Sequence, residues 1–530
     1  MATFAIPIDR AATEPKAVRR FLNTDGRFAA TLVTALTFFA ILVHGYHPYA
    51  EDGGLYLAGV ERLLDPALFP HGTAFVLEPT RLSVFAPAIA ALVRATHLGL
   101  AVVVFGVHVV SVWVTLFAAW MLACRCWASR PARAGAVVLL ACWLSLPVAG
   151  TALVWMDPYL TARSFSTPCM VLALVWLLDV TSAAGRSARR NLLLRCIAAL
   201  VVAAAMHPLM GGYAIFAAAI LGCVRSASRG VRLGGIGLIV ASAIGAAAIL
   251  QATGRPESAE YARVALTRTY WFPAAWSWYE WIGLIAPLAI LGFFAMRQSD
   301  TQSVRPATCP LARMAFVSGV TGSVVAILFA HAGSSSHLVA RLQPLRVFHI
   351  VYLVMVLLLG AKLGEALKCR LWRWSGATAL LAGIMFFGAR NSFPDSPHLE
   401  LPGTVARNPW VEAFVWIRVH TPRDAFFALD PDYINSPQED AQCFRAIAER
   451  SALADYSKDG GEASIAPDLT EEWVAGQRGQ QGLNAAGTTD DSRLAALTPL
   501  GVTWVVLNAA TPTDLDCPYS NSVVKVCRLR

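Results

Sequence analysis

The sequence predicts an α-helical polytopic membrane protein of about eleven transmembrane helices, followed by a C-terminal soluble α/β domain. The first observation is composition: 56% of the 530 residues are hydrophobic and only 15% are charged, whereas an average soluble protein has about 25% charged residues. The second is that several uncharged windows are long enough to cross a hydrocarbon core roughly 30 Å thick. The third is a change after residue 390, where Asp, Glu, Pro, Thr and Asn become frequent and no spanning window remains.

Uncharged windows place the spans along the chain. One window, 196–224, is too long for a single crossing, and Pro208 with the Gly211-Gly212 pair is expected to break it into two helices. The windows are 28–46, 98–123, 134–156, 164–178, 196–224, 233–254, 281–296, 314–336, 347–361 and 374–389. With that one division, eleven spans are predicted.

Lys and Arg residues predict the orientation, because short cytoplasmic loops are enriched in them. A cytoplasmic N-terminal tail, residues 1–27, places every dense basic loop on one side. These loops contain Arg125, Arg130 and Arg133; Arg186, Arg189 and Arg190; Arg225, Arg229 and Arg232; Arg297, Arg305 and Arg313; and Lys362, Lys368, Arg370 and Arg373. The net charge of +9 therefore reflects topology and requires no nucleic-acid partner. We expect a bacterial inner-membrane protein with an extracytoplasmic, periplasmic C-terminal domain.

The domain organisation follows from these windows. Residues 28–390 are predicted to form the transmembrane domain, with a first outer loop at 47–97. Within that loop, the apolar segment 82–97 is short. Counting it as a span would move the Arg125–Arg133 loop to the outer side, so we expect 82–97 to form a helix along the outer surface of the membrane. Residues 391–403 are predicted to be a linker because they are rich in proline and turn residues. The first apolar run lacks a small-residue cleavage site, so no cleavable signal peptide is expected.

Residues 404–530 are predicted to form the soluble α/β domain. Its predicted strands are 425–429, 502–507 and 523–527, and its predicted helices are 439–451 and 469–476. Cys517 and Cys527 flank a turn at a spacing that suits a disulfide, which an oxidising compartment would allow.

Two adjacent carboxylates, Glu51 and Asp52, follow the first span directly. Acidic residues close to hydrocarbon are costly and usually functional. They can act as a general base or, together with Asp157 of the second outer loop, hold a divalent cation such as Mg²⁺ or Mn²⁺. The alternative for Asp52 is an N-cap of the predicted helix 53–64.

Arginines at the outer edges of spans indicate an anionic ligand. Arg163, Arg341 and Arg346 lie where the phosphate of a membrane lipid would lie, and a guanidinium binds phosphate oxygens bidentately. The alternative for Arg163 and Arg346 is a role as interfacial anchors. Ordinary roles also remain open for the aromatic run 270–281 as an interfacial belt, for His207 as a turn residue, and for Arg255, Arg263 and Arg268 as surface charges paired with Glu257 and Glu260.

This arrangement resembles the C-type (GT-C) superfamily of integral membrane glycosyltransferases. Members have an acidic residue directly after the first helix, surface helices in the first outer loop, and often an outer C-terminal domain; here these are Glu51-Asp52, the helices 53–64 and 82–97, and residues 404–530. The segment starting Phe85-Ala-Pro-Ala is similar to the stretch before the second span of lipid A- and mannosyl-modifying members. Tyr159-Leu-Thr-Ala-Arg-Ser and Gln343-Pro-Leu-Arg look like an uncharacterised bacterial branch of this architecture.

The resemblance implies the transfer of a sugar from a polyprenyl-phosphate donor to an unknown glycan, lipid or protein acceptor. It implies that Asp52, or Glu51, is the catalytic carboxylate. The residues implied at the donor are Arg163, Arg341, Arg346, His349, Tyr159 and His207. Asp157 would be a metal ligand only if transfer is metal-dependent, because no second Asp completes a D-x-D with it.

Two other functions remain open from the sequence. A non-catalytic assembly or scaffold protein would keep the same architecture. A lipid or solute transporter would be expected to carry charged residues at mid-span and paired broken helices. The predicted spans are nearly free of charge and their polar residues gather at one face, which favours the transferase over the transporter.

Overall fold

The computed structural model describes residues 16–143, 155–296, 307–368, 370–404, 408–435, 440 and 442–529. Helices dominate the part that precedes the predicted soluble domain. They are α1 (Lys16–His44), α2 (Glu51–Leu64), α3 (Thr73–Arg81), α4 (Phe85–Thr96), α5 (Leu100–Cys126), α6 (Arg130–Cys142), α7 (Arg163–Val180), α8 (Arg186–Met206), α9 (Pro208–Val224), α10 (Arg229–Thr253), α11 (Ala259–Leu266), α12 (Trp278–Met296), α13 (Thr308–Phe329), α14 (Leu338–Arg341), α15 (Phe348–Leu367) and α16 (Leu371–Ser392).

Every predicted spanning window contains a helix, although 144–154, about half of the window 134–156, lies outside the described residues. Among the described helices, seven are long and apolar enough to cross a membrane, and an eighth is added if the bent pair α3–α4 forms one span. The seven are Gly26–His44, Leu100–Cys126, Arg163–Val180, Arg229–Thr253, Trp278–Met296, Thr308–Phe329 and Leu338–Leu367. A helical chain with several candidate spans is therefore confirmed, and the count of eleven stays a prediction.

Helix α15 is the buried centre of the bundle: 83% of its candidate span is buried inside the protein. It packs closely against α6, where a Cβ atom on Gly360 would lie 2.5 Å from the carbonyl oxygen of Gly135. Small residues of this kind allow helix backbones to approach each other in a membrane. α15 begins at Phe348, directly after the segment that carries Arg346.

The first outer loop forms three short helices, α2, α3 and α4. The axes of α3 and α4 differ by 96°, and α4 covers most of the predicted surface helix 82–97. The apolar face of α4, including Phe85 and Ile89, packs against α2. The loop is also tied to the end of α8, because the backbone N–H of Val84 donates to the carbonyl of Ala205 at 3.0 Å. Whether α4 lies along a membrane surface stays a prediction.

The C-terminal region forms the predicted α/β arrangement around a five-stranded sheet. The strands are β1 (Phe426–Ala428), β2 (Ser451–Ala452), β3 (Trp504–Asn508), β4 (Tyr519–Ser520) and β5 (Val524–Arg528). Their order in the sheet is β2-β1-β3-β5-β4; β1 pairs in parallel with β2 and β3, and β5 pairs antiparallel with β3 and β4. The helices are α17 (Pro409–His420), α18 (Phe444–Ala448), α19 (Lys458–Ile465), α20 (Thr470–Gln480) and α21 (Asp490–Leu497). Cys517 and Cys527 form a disulfide.

The predicted helix 439–451 is wrong in extent. Helix α18 covers only five residues and ends at Glu449, whose φ of 49° is left-handed and therefore breaks the helix. The chain then enters β2 at Ser451. The apolar residues that favour a longer helix are divided between α18 and the edge strand β2. In so short a segment, hydrophobic periodicity does not distinguish a helix from a strand.

Backbone hydrogen bonds join the C-terminal region to the chain that follows α1. Tyr46 forms a bridge with Leu399, and Ala50 forms one with Gln442. The predicted linker 391–403 begins within α16 and runs along this contact. The sheet domain therefore lies against the first outer loop.

Candidate active site

The Glu51-Asp52-Gly53-Gly54 sequence opens α2 at a crowded position. A Cβ atom on Gly53 would lie 2.8 Å from the Cβ of Tyr159, and one on Gly54 would overlap the side chain of Cys443. The two glycines therefore allow α2 to contact the second outer loop and the C-terminal domain at once. Glu51 has a φ of 51°, a left-handed conformation that costs a non-glycine residue about 1–2 kcal/mol.

Asp52 lies between two cationic side chains. Its Oδ2 is 3.2 Å from Nη1 of Arg163, and its Oδ1 is 3.4 Å from Nζ of Lys458. Lys458 also forms an ion pair with Glu51, and Arg163 also bonds Asp157 through Nη2 at 3.4 Å. Three carboxylates thus share two cations, which leaves one excess negative charge when all are ionised.

Burial and ion pairing act on these carboxyl groups in opposite directions. For Asp52, burial would raise the pKa, but Lys458, Arg163 and Arg346 outweigh burial and hold that pKa well below its usual range. For Asp157, burial raises the pKa to about 6, because Arg163 offsets only part of the cost. Asp52 therefore stays ionised at every physiological pH, whereas Asp157 gains a proton under mildly acidic conditions.

A large cavity of about 1050 Å³, here the central cavity, contains this cluster at one end. Its charged end combines the outer loops with helix α19 of the C-terminal domain. The charged residues in its lining are Glu51, Asp52, Glu78, Arg163, Arg268, Arg341, Arg346, Lys458 and Glu462. His207, another predicted site residue, is also in the lining.

The other end of the central cavity is apolar and is formed by membrane helices. Phe216 of α9, Ala247 and Leu250 of α10, and Val325 of α13 are among the residues that line it. Only 6% of the candidate span of α10 is buried inside the protein, so this wall of the cavity stands at the outside of the bundle. One cavity therefore joins a charged chamber to an apolar groove beside the lipid.

The three predicted phosphate-binding arginines differ in their partners. Arg163 bonds Asp52 and Asp157, as described above, and Arg341 bonds Glu257 at 3.2 Å. Arg346 donates through Nε to the side-chain oxygen of Gln343 at 2.5 Å, and no carboxylate partner for it occurs among the described residues. Arg346 is therefore the arginine best able to bind an additional anion.

His349 and Asp157 lie behind Arg163, around a small inner pocket of about 50 Å³. The His349 ring stacks on Trp155 at 4.0 Å between centroids, and its Nε2 is 3.0 Å from the hydroxyl of Thr167. Nδ1 of His349, Nε of Arg163 and Oδ1 of Asp157 are buried and have no hydrogen-bond partner among the described residues. Ordered water commonly satisfies buried groups of this kind. His349 therefore lines the inner pocket, next to Arg163, and does not line the central cavity.

Tyr159 is also outside the lining of the central cavity. It is buried and packs with Ala50 and Phe393, next to the glycines of α2. The structure thus brings together six of the predicted site residues, places His349 and Asp157 in the adjoining pocket, and gives Tyr159 a packing position. The six are Glu51, Asp52, Arg163, His207, Arg341 and Arg346.

The sequence did not single out Lys458 and Glu462 of α19. The segment Lys458-Asp-Gly-Gly-Glu462 looks like a solvated turn, since two glycines weaken a helix and charges are usually exposed. Lys458 contacts carboxylates more than 400 positions earlier in the chain, at a separation of 406 residues for Asp52. The one sequence feature that could have indicated these two residues is their spacing, since Lys458 and Glu462 are opposite charges four positions apart.

Arg268 is not the surface charge that the sequence suggested. Its side chain is buried and donates to the backbone carbonyls of Ser457 and Tyr456, at 2.7 and 2.9 Å. Nearby, the hydroxyl of Tyr261 donates to the carbonyl of Ser464 at 2.7 Å. Both ends of α19 are therefore held against the fourth outer loop, and Arg268 fixes the turn just before Lys458.

Replacing Arg268 with Ala should loosen α19 and leave the membrane helices intact. Hydrogen bonds from a charged donor contribute about 1.5–3 kcal/mol, so amide hydrogen exchange in 456–465 should accelerate about tenfold or more. Hydrogen exchange followed by mass spectrometry measures this change. Arg263→Ala is the matched control, because Arg263 is exposed and, among the described residues, bonds only its own helix α11, at Glu260 (4.0 Å) and at the carbonyl of Ala259 (3.3 Å). Equal exchange in both variants would contradict the assigned role of Arg268.

The carboxylates of the cluster do not fit a divalent cation in this arrangement. Glu51, Asp52 and Asp157 each bond a cationic side chain already, through Lys458 or Arg163. Over the described parts of the chain, no group of three or more His, Cys, Asp or Glu residues is arranged to hold a metal ion. The predicted Mg²⁺ or Mn²⁺ site at Asp157 is therefore not supported, and we assign no step to a metal.

No family model and no curated protein sequence matches the chain. Among solved structures, the oligosaccharyltransferase of Archaeoglobus fulgidus in complex with Zn and sulfate aligns at a TM-score of 0.43 and 12% identity, over 90% of this chain and 68% of that one. The archaeal oligosaccharyltransferase AglB from Archaeoglobus fulgidus, in complex with an inhibitory peptide and a dolichol-phosphate, aligns at 0.40 and 13%, over 92% and 70%. Scores of this size do not establish a common fold or a shared function.

Proposed function

We propose that the protein transfers a sugar from a polyprenyl-phosphate carrier to an acceptor hydroxyl in the central cavity. The observation that carries this proposal is the composition of one cavity. In it, a carboxylate cluster and Arg346, which has no carboxylate partner among the described residues, meet an apolar groove at the edge of the helix bundle. A lipid-linked sugar phosphate has the same three parts in the same order.

The phosphate of the donor would bind at Arg346. A guanidinium presents several N–H donors in a plane that matches two phosphate oxygens, and only Nε of Arg346 is engaged within the described residues. Arg341 lies in the same lining and adds positive charge, although Glu257 holds it. The lipid chain would then extend between α9, α10 and α13, where the lining is apolar.

The sugar would lie at the carboxylate cluster. As the bond between the anomeric carbon and the phosphate oxygen breaks, its electron pair moves to the phosphate and positive charge develops on the sugar ring. Asp52 stays ionised because Lys458 and Arg163 hold it, so it can stabilise that positive charge. Arg346 stabilises the negative charge on the leaving phosphate. Preorganised charges of this kind supply much of the rate enhancement in enzymes.

The membrane orientation belongs to the same proposal. The basic loops predict a cytoplasmic N-terminus, and the first outer loop with the C-terminal domain would then lie on the extracytoplasmic face of a bacterial inner membrane. The acceptor, a glycan, lipid or protein, would approach from that side, past α19. The donor would enter sideways from the lipid beside α10, whose span is largely exposed.

A transfer assay tests the proposal. The full chain is reconstituted in phospholipid vesicles with a panel of radiolabelled farnesyl-phosphoryl hexoses and bacterial envelope material as the acceptor pool. We expect release of farnesyl phosphate together with labelled product for at least one hexose. If the protein binds farnesyl phosphate but releases none from the donors, a scaffold is favoured. If the intact donor moves across the vesicle membrane, a transporter is favoured.

A further inference from the structure

The proposed transfer requires a group that accepts the proton of the attacking hydroxyl, and Asp52 is unsuited to that role. One of its oxygens is bonded by Arg163 and the other by Lys458, at 3.2 and 3.4 Å. A carboxylate between two cations keeps its charge but binds a proton weakly. Because a general base works best when its pKa lies near the working pH, another group in the cavity has to be considered.

Glu462 lies in the same cavity, and no described residue bonds its carboxyl group. Residues 458 and 462 are four apart in α19 and therefore lie on one face of the helix, about 6 Å apart along its axis. Both line the central cavity. Lys458 is bound to the carboxylate cluster, whereas the half-buried carboxyl of Glu462 has no hydrogen bond or ion pair within the described residues.

The neighbouring acidic residue of α19 cannot take this position. Asp459 is 1% exposed and bonds Nη1 of Arg445 at 2.7 Å, on the side of the helix that faces the domain core. Its other oxygen accepts from the backbone N–H of Asp455 at 2.8 Å. Glu462 is therefore the carboxyl group that α19 presents to the cavity, one turn beyond the lysine that marks the sugar end.

We infer, on the basis of the proposed function, that Glu462 is the general base of the reaction. Its carboxylate takes the proton of the acceptor hydroxyl while the hydroxyl oxygen forms the bond to the anomeric carbon. The bond from that carbon to the phosphate oxygen breaks, and its electron pair leaves with the phosphate at Arg346. Glu462 ends as the neutral acid and returns its proton to water before the next cycle.

The charges that face Glu462 tune it for this role. On α19 they are Asp459 and Lys458, α2 contributes Glu51 and Asp52, and α3 contributes Glu78. The arginines are Arg163 at the start of α7, Arg341 at the end of α14, and Arg268 and Arg346 between α-helices. The other helices packed on α19, α11 and α20, add no charged residue to the cavity lining. Most of the cations are held by other groups. Burial, with the carboxylates of Asp459, Asp52 and Glu78, raises the pKa of Glu462 to about 8.

The sign of the pH dependence follows from the role of a base. Only ionised Glu462 accepts a proton, so the rate of transfer should rise with pH up to about pH 8 and then level off. Glu462→Gln should lower that rate about 10²–10⁴-fold and remove the rise. Glu462→Asp should recover part of the rate together with the rise. Glu471→Gln, at an exposed position of α20, is the matched control, and its rate and pH profile should equal those of the protein without substitutions.

Labelling with dicyclohexylcarbodiimide gives a readout that does not depend on transfer, because this apolar reagent modifies protonated carboxyl groups. At pH 7 the full chain in vesicles should be modified at Glu462 and not at Asp52, and farnesyl phosphate should protect it. An unmodified Glu462, or a Glu462→Gln variant with full rate and an unchanged pH profile, would overturn the inference. Failure of the proposed function would give a different result. The protein without substitutions would then transfer no hexose at any pH, and there would be no reaction in which Glu462 could act.

Discussion

Asp52→Asn should lower the turnover rate for sugar transfer about 10²–10³-fold, the usual loss when one preorganised charge is removed from an active site. The amide has the shape of the carboxylate but cannot stabilise positive charge on the sugar ring. Folding should survive, because Arg163 keeps its bond to Asp157 and Lys458 keeps its bond to Glu51. The measurement is farnesyl phosphate release at saturating donor, with the melting temperature as a check on folding.

Glu51→Gln is the matched control for this change. Among the residues that the structure describes, Glu51 bonds Lys458 alone, whereas Asp52 bonds both Lys458 and Arg163. We therefore expect a smaller loss of rate in Glu51→Gln. If Asp52→Asn keeps full activity, Asp52 has no part in the reaction. If Glu51→Gln also keeps full activity, a non-catalytic scaffold becomes the better account of the protein.

Arg346→Ala should weaken the binding of a lipid phosphate about 30-fold or more. Truncating one partner of a buried charge-assisted contact costs about 2–5 kcal/mol, and 1.4 kcal/mol corresponds to a factor of ten. The measurement is the dissociation constant for farnesyl phosphate in detergent micelles, by isothermal titration calorimetry. Arg346→Lys should restore only part of the affinity, because an ammonium keeps the charge but not the planar fork.

Arg341→Ala is the matched control for Arg346. Both arginines line the central cavity, but Arg341 is 3.2 Å from Glu257, which His337 also bonds at 2.7 Å. We expect the Arg341→Ala variant to bind farnesyl phosphate several-fold more weakly at most. Equal losses at the two positions would show that the phosphate is shared between them, and a larger loss at Arg341 would contradict the assignment of Arg346.

Much of the charged chamber could be predicted from the sequence. The basic loops predict the cytoplasmic side of the membrane, and the remaining loops are then expected together on the opposite side. Glu51, Asp52, Arg163 and Arg346 come from loops far apart in the chain, yet all were assigned to one face, and all line one cavity. The sequence could not rank the arginines. Their difference depends on which carboxylates lie within bonding distance, namely Asp52 and Asp157 for Arg163 and Glu257 for Arg341. That depends on how the outer loops pack on one another.

The contribution of the C-terminal domain could not be predicted in the same way. A strand such as β3 follows from its run of β-branched residues, but nothing in such a pattern indicates which face of a domain docks on its neighbour. Arg268 and Tyr261 hold α19 through backbone carbonyls of the domain, and a carbonyl carries no sequence signal. In the sequence, Lys458 and Glu462 are therefore indistinguishable from solvent-exposed charges, and only the docked position of α19 places them in the cavity.

A density map of the protein with bound farnesyl phosphate tests the central claim most directly. By cryo-electron microscopy, the phosphate should appear within about 2.7–2.9 Å of the Arg346 guanidinium, the range for charge-assisted hydrogen bonds. The farnesyl chain should lie between α9, α10 and α13, with the space next to Asp52 left for a sugar. Phosphate density elsewhere on the protein, or a farnesyl chain outside the central cavity, would contradict the account.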